Sequence, residues 1–253
     1  MRRIAFVNEK GGSCKTTLSV NTAAYFASQG KRRVLLVDMD PQGQAGKSLG
    51  FYVRDMFPTV YDVMMDPTLD ARQAISPSHV EGLDVLVSNK KLADFPVDVA
   101  SHPDRERKLA DKLRTITDYD FIIYDSPPSM GIITTNIMLA AEEIVVPVSL
   151  TYFALDGCAE IVDSVERMHE KFGKRDLEIV LVVPALYRPT KMADEIISKL
   201  KSHFPTRTAK AVIGYNVKID EAQSHGKTIW EYASWSRGAH MIESVAKEIL
   251  RVR

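Results

Sequence analysis

The chain of 253 residues is 45% hydrophobic and 26% charged, which predicts one globular domain, residues 1–253, with a substantial core. Basic and acidic side chains number 33 each, so the overall charge favours neither nucleic acid nor a membrane as a partner. Two cysteines, Cys14 and Cys158, exclude a disulfide framework and suit a reducing cytoplasm, and no apolar run approaches the ~18 residues of a membrane span.

The first predicted elements enclose a loop suited to phosphate. Residues 1–3 lead directly into the apolar run 4–7, which predicts a short strand and no signal peptide. Helical spacing follows over residues 18–28. Between them, Lys15 can place a positive charge on phosphate groups and Thr16 can ligate Mg²⁺. Small residues before a helix also turn backbone N–H groups towards an anion, so this stretch predicts a phosphate-binding loop.

This loop departs from the common G-x-x-x-x-G-K-[ST] pattern. Its two glycine positions hold Glu9 and Cys14, and a second lysine, Lys10, stands before Gly11-Gly12. At Cys14 we expect a negative φ, because a left-handed backbone costs energy for a residue with a Cβ atom.

Acidic residues follow two further predicted strands. The apolar run 34–37 ends in Asp38 and Asp40, and the run 121–124 ends in Asp125. Carboxylates at the carboxyl ends of parallel strands lie where α/β folds bind ligands. The alternative for the first pair is a polar strand end before a turn. After Asp125, two consecutive prolines exclude an immediate helix and predict a stiff loop near the phosphates.

The remaining pattern alternates strands and helices. Strands are predicted at 83–87, 143–148, 178–183 and 211–213, and helices at 104–116, 155–172, 192–203 and 238–253. Short helices and loops are expected over 44–78, a connecting loop over 89–101 and a polar loop over 214–226. This alternation predicts an α/β fold, a doubly wound, mostly parallel sheet with helices on both faces.

Five segments together carry a family resemblance. Residues 10–17 look like the loop K-G-G-x-G-K-T-T, residues 34–43 resemble V-L-L-V-D-x-D-P-Q-G, and residues 121–129 resemble a strand ending in D-x-P-P-S. Residues 146–157 resemble V-P-V…Y-x-A-L-x-G, and residues 216–227 are similar to N-V-K-L-x-E-A-P-S-H-G-K. The chain thus resembles the deviant Walker A ATPases, the ParA/MinD family of P-loop NTPases, over nearly its whole length. The last segment is typical of the ParA branch.

The resemblance implies three catalytic residues. Lys15 would bind the β- and γ-phosphates, and Asp40 would orient the attacking water. Lys10 would reach across a nucleotide-sandwich dimer to the partner's phosphates and stabilise charge in trans. The alternative for Lys10 is a solvated loop lysine.

The resemblance also implies ATP and Mg²⁺ as cofactors. Thr16, Asp38 and Asp125 would form or support the metal site, although Asp38 could instead be a structural hydrogen-bond acceptor. The implied nucleotide-binding residues are Lys10, Gly11, Gly12, Ser13, Cys14, Lys15, Thr16 and Thr17, with Pro184, Tyr215 and Asn216 near the adenine.

For partners, the resemblance favours non-specific double-stranded DNA. Residues 188–253 hold 12 basic against 7 acidic side chains. The candidate DNA contacts are Arg188, Lys191, Lys199, Lys201, Lys210, Lys218, Lys227, Arg237 and Arg251. The alternative is a solvated basic face. Where the family often has Pro-Arg-Asn this chain has Gly214-Tyr215-Asn216, and Gln223 replaces a proline. No basic-amphipathic tail follows the closing helix, so no membrane binding is expected.

These implications predict an ATP-dependent switch. An ATP-bound homodimer would hold nucleoid DNA and segregate or position a chromosome, plasmid or protein cluster. A ParB-like or other partner would stimulate slow ATP hydrolysis, and the protein would be cytoplasmic and nucleoid-associated. The alternatives are a MinD-like membrane-associated positioning ATPase, a metabolic or cluster-assembly ATPase of the wider family, and a catalytically dead scaffold.

Overall fold

One eight-stranded sheet organises the computed structural model, which describes residues 1–252. Arg253, at the predicted end of the closing helix, lies outside the described residues. The strands are β1 (Arg2–Phe6), β2 (Val34–Asp38), β3 (Ile75–Pro77), β4 (Leu83–Leu86), β5 (Phe121–Asp125), β6 (Glu143–Ser149), β7 (Glu178–Tyr187) and β8 (Ile213–Gly214). Their order is β3-β4-β2-β5-β1-β6-β7-β8, and only β3 pairs antiparallel. The predicted doubly wound, mostly parallel sheet is confirmed.

Helices cover both faces of this sheet. They are α1 (Lys15–Ser28), α2 (Gln44–Ser48), α3 (Val60–Met65), α4 (Phe95–Asp98), α5 (Lys108–Leu113), α6 (Ile132–Ala140), α7 (Ala154–Phe172), α8 (Lys191–His203), α9 (Val217–Ser224), α10 (Ile229–Ala233) and α11 (Arg237–Arg251). Two 3-10 helices span Ala71–Ala74 and Lys90–Ala93.

The side chains of β1 alternate between two hydrophobic cores, one on each face of the sheet. Ile4 and Phe6 belong to the core that α1, α9, α10 and α11 cover. Ala5 and Val7 belong to the core that α3, α5, α6, α7 and α8 cover. Successive strand side chains point to opposite faces, so a strand buried on both sides becomes a continuous apolar run.

Two predicted loops are wrong because they contain helices. The segment 89–101 includes a 3-10 helix and α4, and the segment 214–226 includes α9. The side chain of Asn216 caps α9 by accepting a hydrogen bond from the N–H of Lys218, while Ile219 and Ala222 are buried. A helix that buries so few residues looks polar in sequence. Helices α6 and α10 were not predicted either.

Several predicted boundaries also shift. The helix expected over 104–116 is limited to Lys108–Leu113, and the last strand lies at Ile213–Gly214 instead of 211–213. Both edge strands are short, with three residues in β3 and two in β8.

Arg2 ties the closing helix to the sheet. Its Nε atom donates to Glu143 Oε1 at 2.7 Å, and its Nη2 atom donates to the carbonyls of Ile249 at 2.9 Å and Val252 at 3.1 Å. The two charged side chains are only 18% and 15% exposed. This arginine therefore satisfies carbonyls at the carboxyl end of α11, where a cation is favourable.

Candidate functional site

The phosphate-binding loop connects β1 to α1 and contains two left-handed residues. Gly12 and Cys14 both have φ near 68°. The prediction of a negative φ at Cys14 is therefore wrong. Alternating backbone handedness lets consecutive N–H groups face one concavity, and this requirement overrides the preference of the side chain. A residue other than glycine pays roughly 1–2 kcal/mol for that conformation.

Cys14 carries a neutral thiol. Its side chain packs against the core that contains α1 and α9. Burial, with a smaller contribution from Asp220, raises the pKa of the Cys14 thiol to about 11. The thiol therefore remains protonated at neutral pH and adds no negative charge beside the phosphates.

The loop forms one wall of a pocket of about 580 Å³, a volume within the range of small-molecule sites. The pocket brings together the predicted loop, Asp40 and the double proline that follows β5. Its lining comprises Gly11, Gly12, Ser13, Cys14, Lys15, Thr16, Thr17, Asp40, Pro41, Gln42, Gln44, Ala93, Pro127, Pro128 and Ser129.

The donors in this pocket fit an anion. The Ser13 hydroxyl is buried and has no hydrogen-bond partner. Within residues 1–252, the backbone N–H groups of Ser13, Cys14 and Lys15 donate no hydrogen bond. Buried polar groups are normally satisfied, so unpaired donors at the start of a helix are the arrangement that a phosphate group completes.

Lys15 is buried and aimed back along the loop. Its Nζ atom donates to the carbonyl of Lys10 at 3.2 Å. Burial lowers the pKa of Lys15, while Asp125 and Asp40 act in the opposite direction. A lysine charge out of bulk water interacts more strongly with a bound anion than an exposed one does.

Thr16 and Asp125, two residues predicted to hold or support Mg²⁺, are in direct contact. The Thr16 hydroxyl donates to Asp125 Oδ2 at 2.7 Å, and the hydroxyl of Ser19 donates to Oδ1 at 2.9 Å. Ser19 was not predicted, although it lies one helical turn after Thr16. In the described part of the chain, no group of three or more His, Cys, Asp or Glu side chains could hold a metal alone. A hydroxyl and one carboxylate suit Mg²⁺, which binds to one or two protein oxygens together with water and substrate phosphates.

The Asp38 carboxylate accepts hydrogen bonds from two backbone N–H groups. Oδ1 accepts the N–H of Asp40 at 3.1 Å and Oδ2 accepts the N–H of Gly46 at 3.0 Å. It pairs with Asp125 across β2 and β5. Burial raises the pKa of both carboxyls, and neighbouring charge adds to it, from Asp125 at Asp38 and from Asp40 at Asp125. This geometry favours the alternative of a structural hydrogen-bond acceptor, and the supporting role of Asp38 at Mg²⁺ stays a prediction.

Lys10 lies outside the pocket lining. Its Nζ atom donates to the Thr151 hydroxyl at 2.6 Å, in the turn between β6 and α7. The Asn8 side chain fixes the base of this lysine by accepting its N–H at 2.9 Å and donating to the Pro147 carbonyl at 2.7 Å. No sequence signal links Lys10 to Thr151, since 141 positions separate them.

The three predicted adenine residues are not among the residues that line this pocket. Pro184 is buried in β7, Asn216 caps α9, and Tyr215 is 57% exposed. The Gln223 amide on α9 donates to the Thr17 hydroxyl at 3.0 Å, so α9 directly contacts the first turn of α1. The adenine contacts stay predictions.

The predicted DNA contacts are distributed over α8, α9, α11 and the adjoining loops. Exposed positions are Arg188, Lys191, Lys199, Lys201, Lys210, Lys227, Arg237 and Arg251. Lys218 differs, because its ammonium contacts Glu221 at 2.6 Å and lies over the ring of Tyr232. Among residues 1–252, no helix has both the length and the apolar character to cross a membrane.

Comparisons with known proteins identify the family of this chain. A family model described as an AAA domain matches residues 1–179. Sporulation initiation inhibitor protein Soj of Bacillus subtilis is 39% identical over 248 residues, covering 97% of each chain. Chromosome-partitioning ATPase Soj of Thermus thermophilus is 36% identical over 250 residues, covering 99% of this chain and 96% of the relative.

A solved structure extends the comparison to the fold. Cobyrinic acid a,c-diamide synthase of Mycobacterium smegmatis, solved with bound ADP and magnesium, has a TM-score of 0.84 at 26% identity. The match covers 99% of this chain and 94% of that one. With Soj relatives at these identities over nearly its whole length, the chain belongs to the ParA/Soj branch of the ParA/MinD family of deviant Walker A ATPases.

Proposed function

We propose that this ParA-type positioning ATPase dimerises on ATP, holds nucleoid DNA non-specifically, and is released by partner-stimulated hydrolysis. The main observation in support of this proposal is that two lysines of the same loop occupy different positions relative to the pocket. Lys15 lines the pocket, whereas Lys10 extends outside it towards Thr151. One lysine is thus available to the chain's own nucleotide and the other to a neighbour's.

ATP and Mg²⁺ are the cofactors of this ATPase. The N–H groups and hydroxyl of the loop, with Lys15, would hold the phosphates. Thr16 and Asp125 would hold the metal ion, directly or through water. Bound Mg²⁺ neutralises charge on the phosphate oxygens. In the described chain, these residues supply donors and a carboxylate already fixed by hydrogen bonds.

Asp40 is the acid best placed for hydrolysis. It is 7% exposed, and Asp40 is the one carboxylate among the pocket-lining residues of the described chain. The N–H of Gln42 donates to its Oδ1 at 2.8 Å, which orients the side chain. A carboxylate held in this way would orient the attacking water.

Lys10 would complete the site of a second copy. Members of the ParA/Soj family act as ATP-dependent dimers with partner proteins. In such a dimer, the Lys10 ammonium would leave Thr151 and approach the partner's phosphates, where charge develops during hydrolysis. Hydrolysis and release of the γ-phosphate would weaken this contact, so the dimer would separate.

Three substitutions test the assignment. Lys15→Ala should abolish nucleotide binding, and Asp40→Ala should retain an ATP-bound dimer because hydrolysis fails. Lys10→Ala should keep nucleotide binding but block dimerisation or hydrolysis. Binding of a fluorescent ATP analogue, sedimentation velocity and phosphate release measure the three steps. Normal dimerisation and turnover in Lys10→Ala would contradict the role in trans.

The basic face supports the DNA part of the proposal. Arg188 and Lys191 are exposed beside the carboxyl end of β7, on the pocket edge of the sheet. A dimer would present two such faces to one duplex and so multiply the phosphate contacts. Binding should therefore weaken steeply as salt is raised.

Charge reversal tests this face. Arg188→Glu or Lys218→Glu should weaken retention on DNA with ATP binding unchanged. Arg175→Glu is the matched control, because Arg175 is exposed but lies just before β7, at the opposite edge of the sheet. Retention measured at several salt concentrations should separate them. Unchanged retention in both test variants would refute this DNA face.

A further inference from the structure

Two exposed aromatic rings lie in the turn between β6 and α7. Tyr152 is 81% exposed and Phe153 is 62% exposed. Their ring centroids are 5.0 Å apart at an interplanar angle of 88°, an edge-to-face pair. Large aromatic side chains contribute much of the energy of protein interfaces, so an exposed, mutually packed pair marks a contact surface.

The backbone fixes the position of this pair. The Thr151 N–H donates to the Ser149 carbonyl at 2.8 Å, and the Ala154 N–H donates to the Thr151 carbonyl at 2.9 Å. Helix α7 begins directly after Phe153. The rings therefore project from an ordered turn, which lowers the conformational cost of covering them.

The pair is continuous with the phosphate-binding loop. Thr151, the residue before Tyr152, accepts the Lys10 ammonium at 2.6 Å. A Cβ atom placed on Gly157, in the first turns of α7, would lie 3.6 Å from Asn8 Oδ1. Loop and turn thus form one surface, and whatever approaches Lys10 also approaches the aromatic pair.

We propose that Tyr152 and Phe153 form a docking surface for a second copy of this chain in its ATP-bound dimer. The inference rests on the proposed function, because the occupant follows from Lys10 reaching a neighbour's phosphates. A two-fold dimer presents the same surface from both copies, so two aromatic pairs, one from each copy, would be buried. Covering an aromatic side chain removes roughly 150–250 Å² from water. Four partly exposed rings would supply on the order of 500 Å², about a third of a standard interface of ~1,600 Å².

The test compares a double variant with a matched control. Tyr152→Ser with Phe153→Ser removes the rings, and Tyr52→Ser removes a tyrosine that is equally exposed, at 84%, on a different loop. Sedimentation equilibrium with a non-hydrolysable ATP analogue and Mg²⁺ measures the dimer. The double variant should raise the dissociation constant by about 30-fold or more, the level expected of an interface hot spot. Tyr52→Ser should leave it unchanged.

Nucleotide binding by the monomer shows whether a variant is folded, so a loss of dimerisation can then be assigned to the docking surface. At protein concentrations too low for dimerisation, both variants should bind a fluorescent ATP analogue with the affinity of the natural chain. As a second measurement, a photo-crosslinking residue at position 152 should give covalent dimers of the purified chain with ATP, and the same residue at position 52 should not.

A double variant that dimerises with the natural dissociation constant would overturn this inference and leave the proposed function intact. ATP-independent or absent crosslinking at position 152 in a chain that does dimerise would overturn it as well. If the natural chain itself stays monomeric with ATP, the proposed dimer fails, and the docking surface fails with it.

Discussion

Substitutions at Cys14 can measure the backbone strain in the phosphate-binding loop. Its φ of 68° and ψ of 21° are left-handed, a conformation that glycine adopts without steric cost. Comparing Cys14→Gly with Cys14→Ala isolates the strain, because both variants lose the thiol and only alanine keeps a Cβ atom.

The expected difference is the balance of two opposing effects. Relief of the left-handed conformation favours glycine by roughly 1–2 kcal/mol. The greater freedom of glycine in the unfolded chain disfavours it by roughly 0.4–1 kcal/mol. Taking the middle of each range, Cys14→Gly should therefore be more stable than Cys14→Ala by about 0.8 kcal/mol. For a chain of this size that corresponds to a Tm difference of about 1–4 °C.

Urea unfolding without nucleotide provides the assay. Glu166 in α7 is the control, since it is exposed in a regular helix. There alanine should exceed glycine by about 1 kcal/mol, the reverse order. If Cys14→Ala proves as stable as Cys14→Gly, the loop is not strained at this residue and the reasoning is refuted.

Two further predictions concern buried charge. Burial raises the pKa of Asp38 and of Asp125, so their protonated forms stabilise the nucleotide-free fold. That contribution is fully present below the ordinary carboxyl value of 3.8 and is lost as pH rises from there through the raised values, by up to about 1.4 kcal/mol per pH unit for each proton. The free energy of unfolding in urea without Mg²⁺ should accordingly decrease from pH 5 to pH 8, and an increase would contradict the assignment. Separately, Arg2→Met should lower the free energy of unfolding by about 1–3 kcal/mol, because it leaves Glu143 half-buried and unpaired. Glu243→Gln breaks a more exposed pair on α11 and should cost at most about 0.5 kcal/mol, so equal losses in thermal or urea unfolding would refute the distinction.

The central strands were predictable because a strand buried on both faces consists of consecutive apolar residues. β2 and β5 are apolar runs that end in Asp38 and Asp125, and every residue in both is buried. Parallel pairing then brings the two residues together, and Asp38 and Asp125 are direct register partners across β2 and β5. The convergence of Lys15 and Thr16 with them follows from the same strand order.

Helices whose polar side chains have tertiary partners could not be predicted in this way. In α6, the buried Asn136 donates to the carbonyl of Arg105 and accepts the N–H of Leu109, which makes a polar residue suitable for the interior. In α9, the capping Asn216 was a visible start signal, but few apolar residues followed it. The left-handed Cys14 is a third case, because the need to orient N–H groups belongs to the whole loop and not to the residue.

The short outer strands have a consequence for how copies of this chain can meet. β3 has three residues and ends in Pro77, which has no N–H to donate, and β8 has two residues. Strand-to-strand addition at a sheet edge needs a longer row of free backbone groups than these two strands offer. The edges of the sheet therefore offer little surface for joining copies, so the proposed ATP-dependent association would depend on loops and side chains.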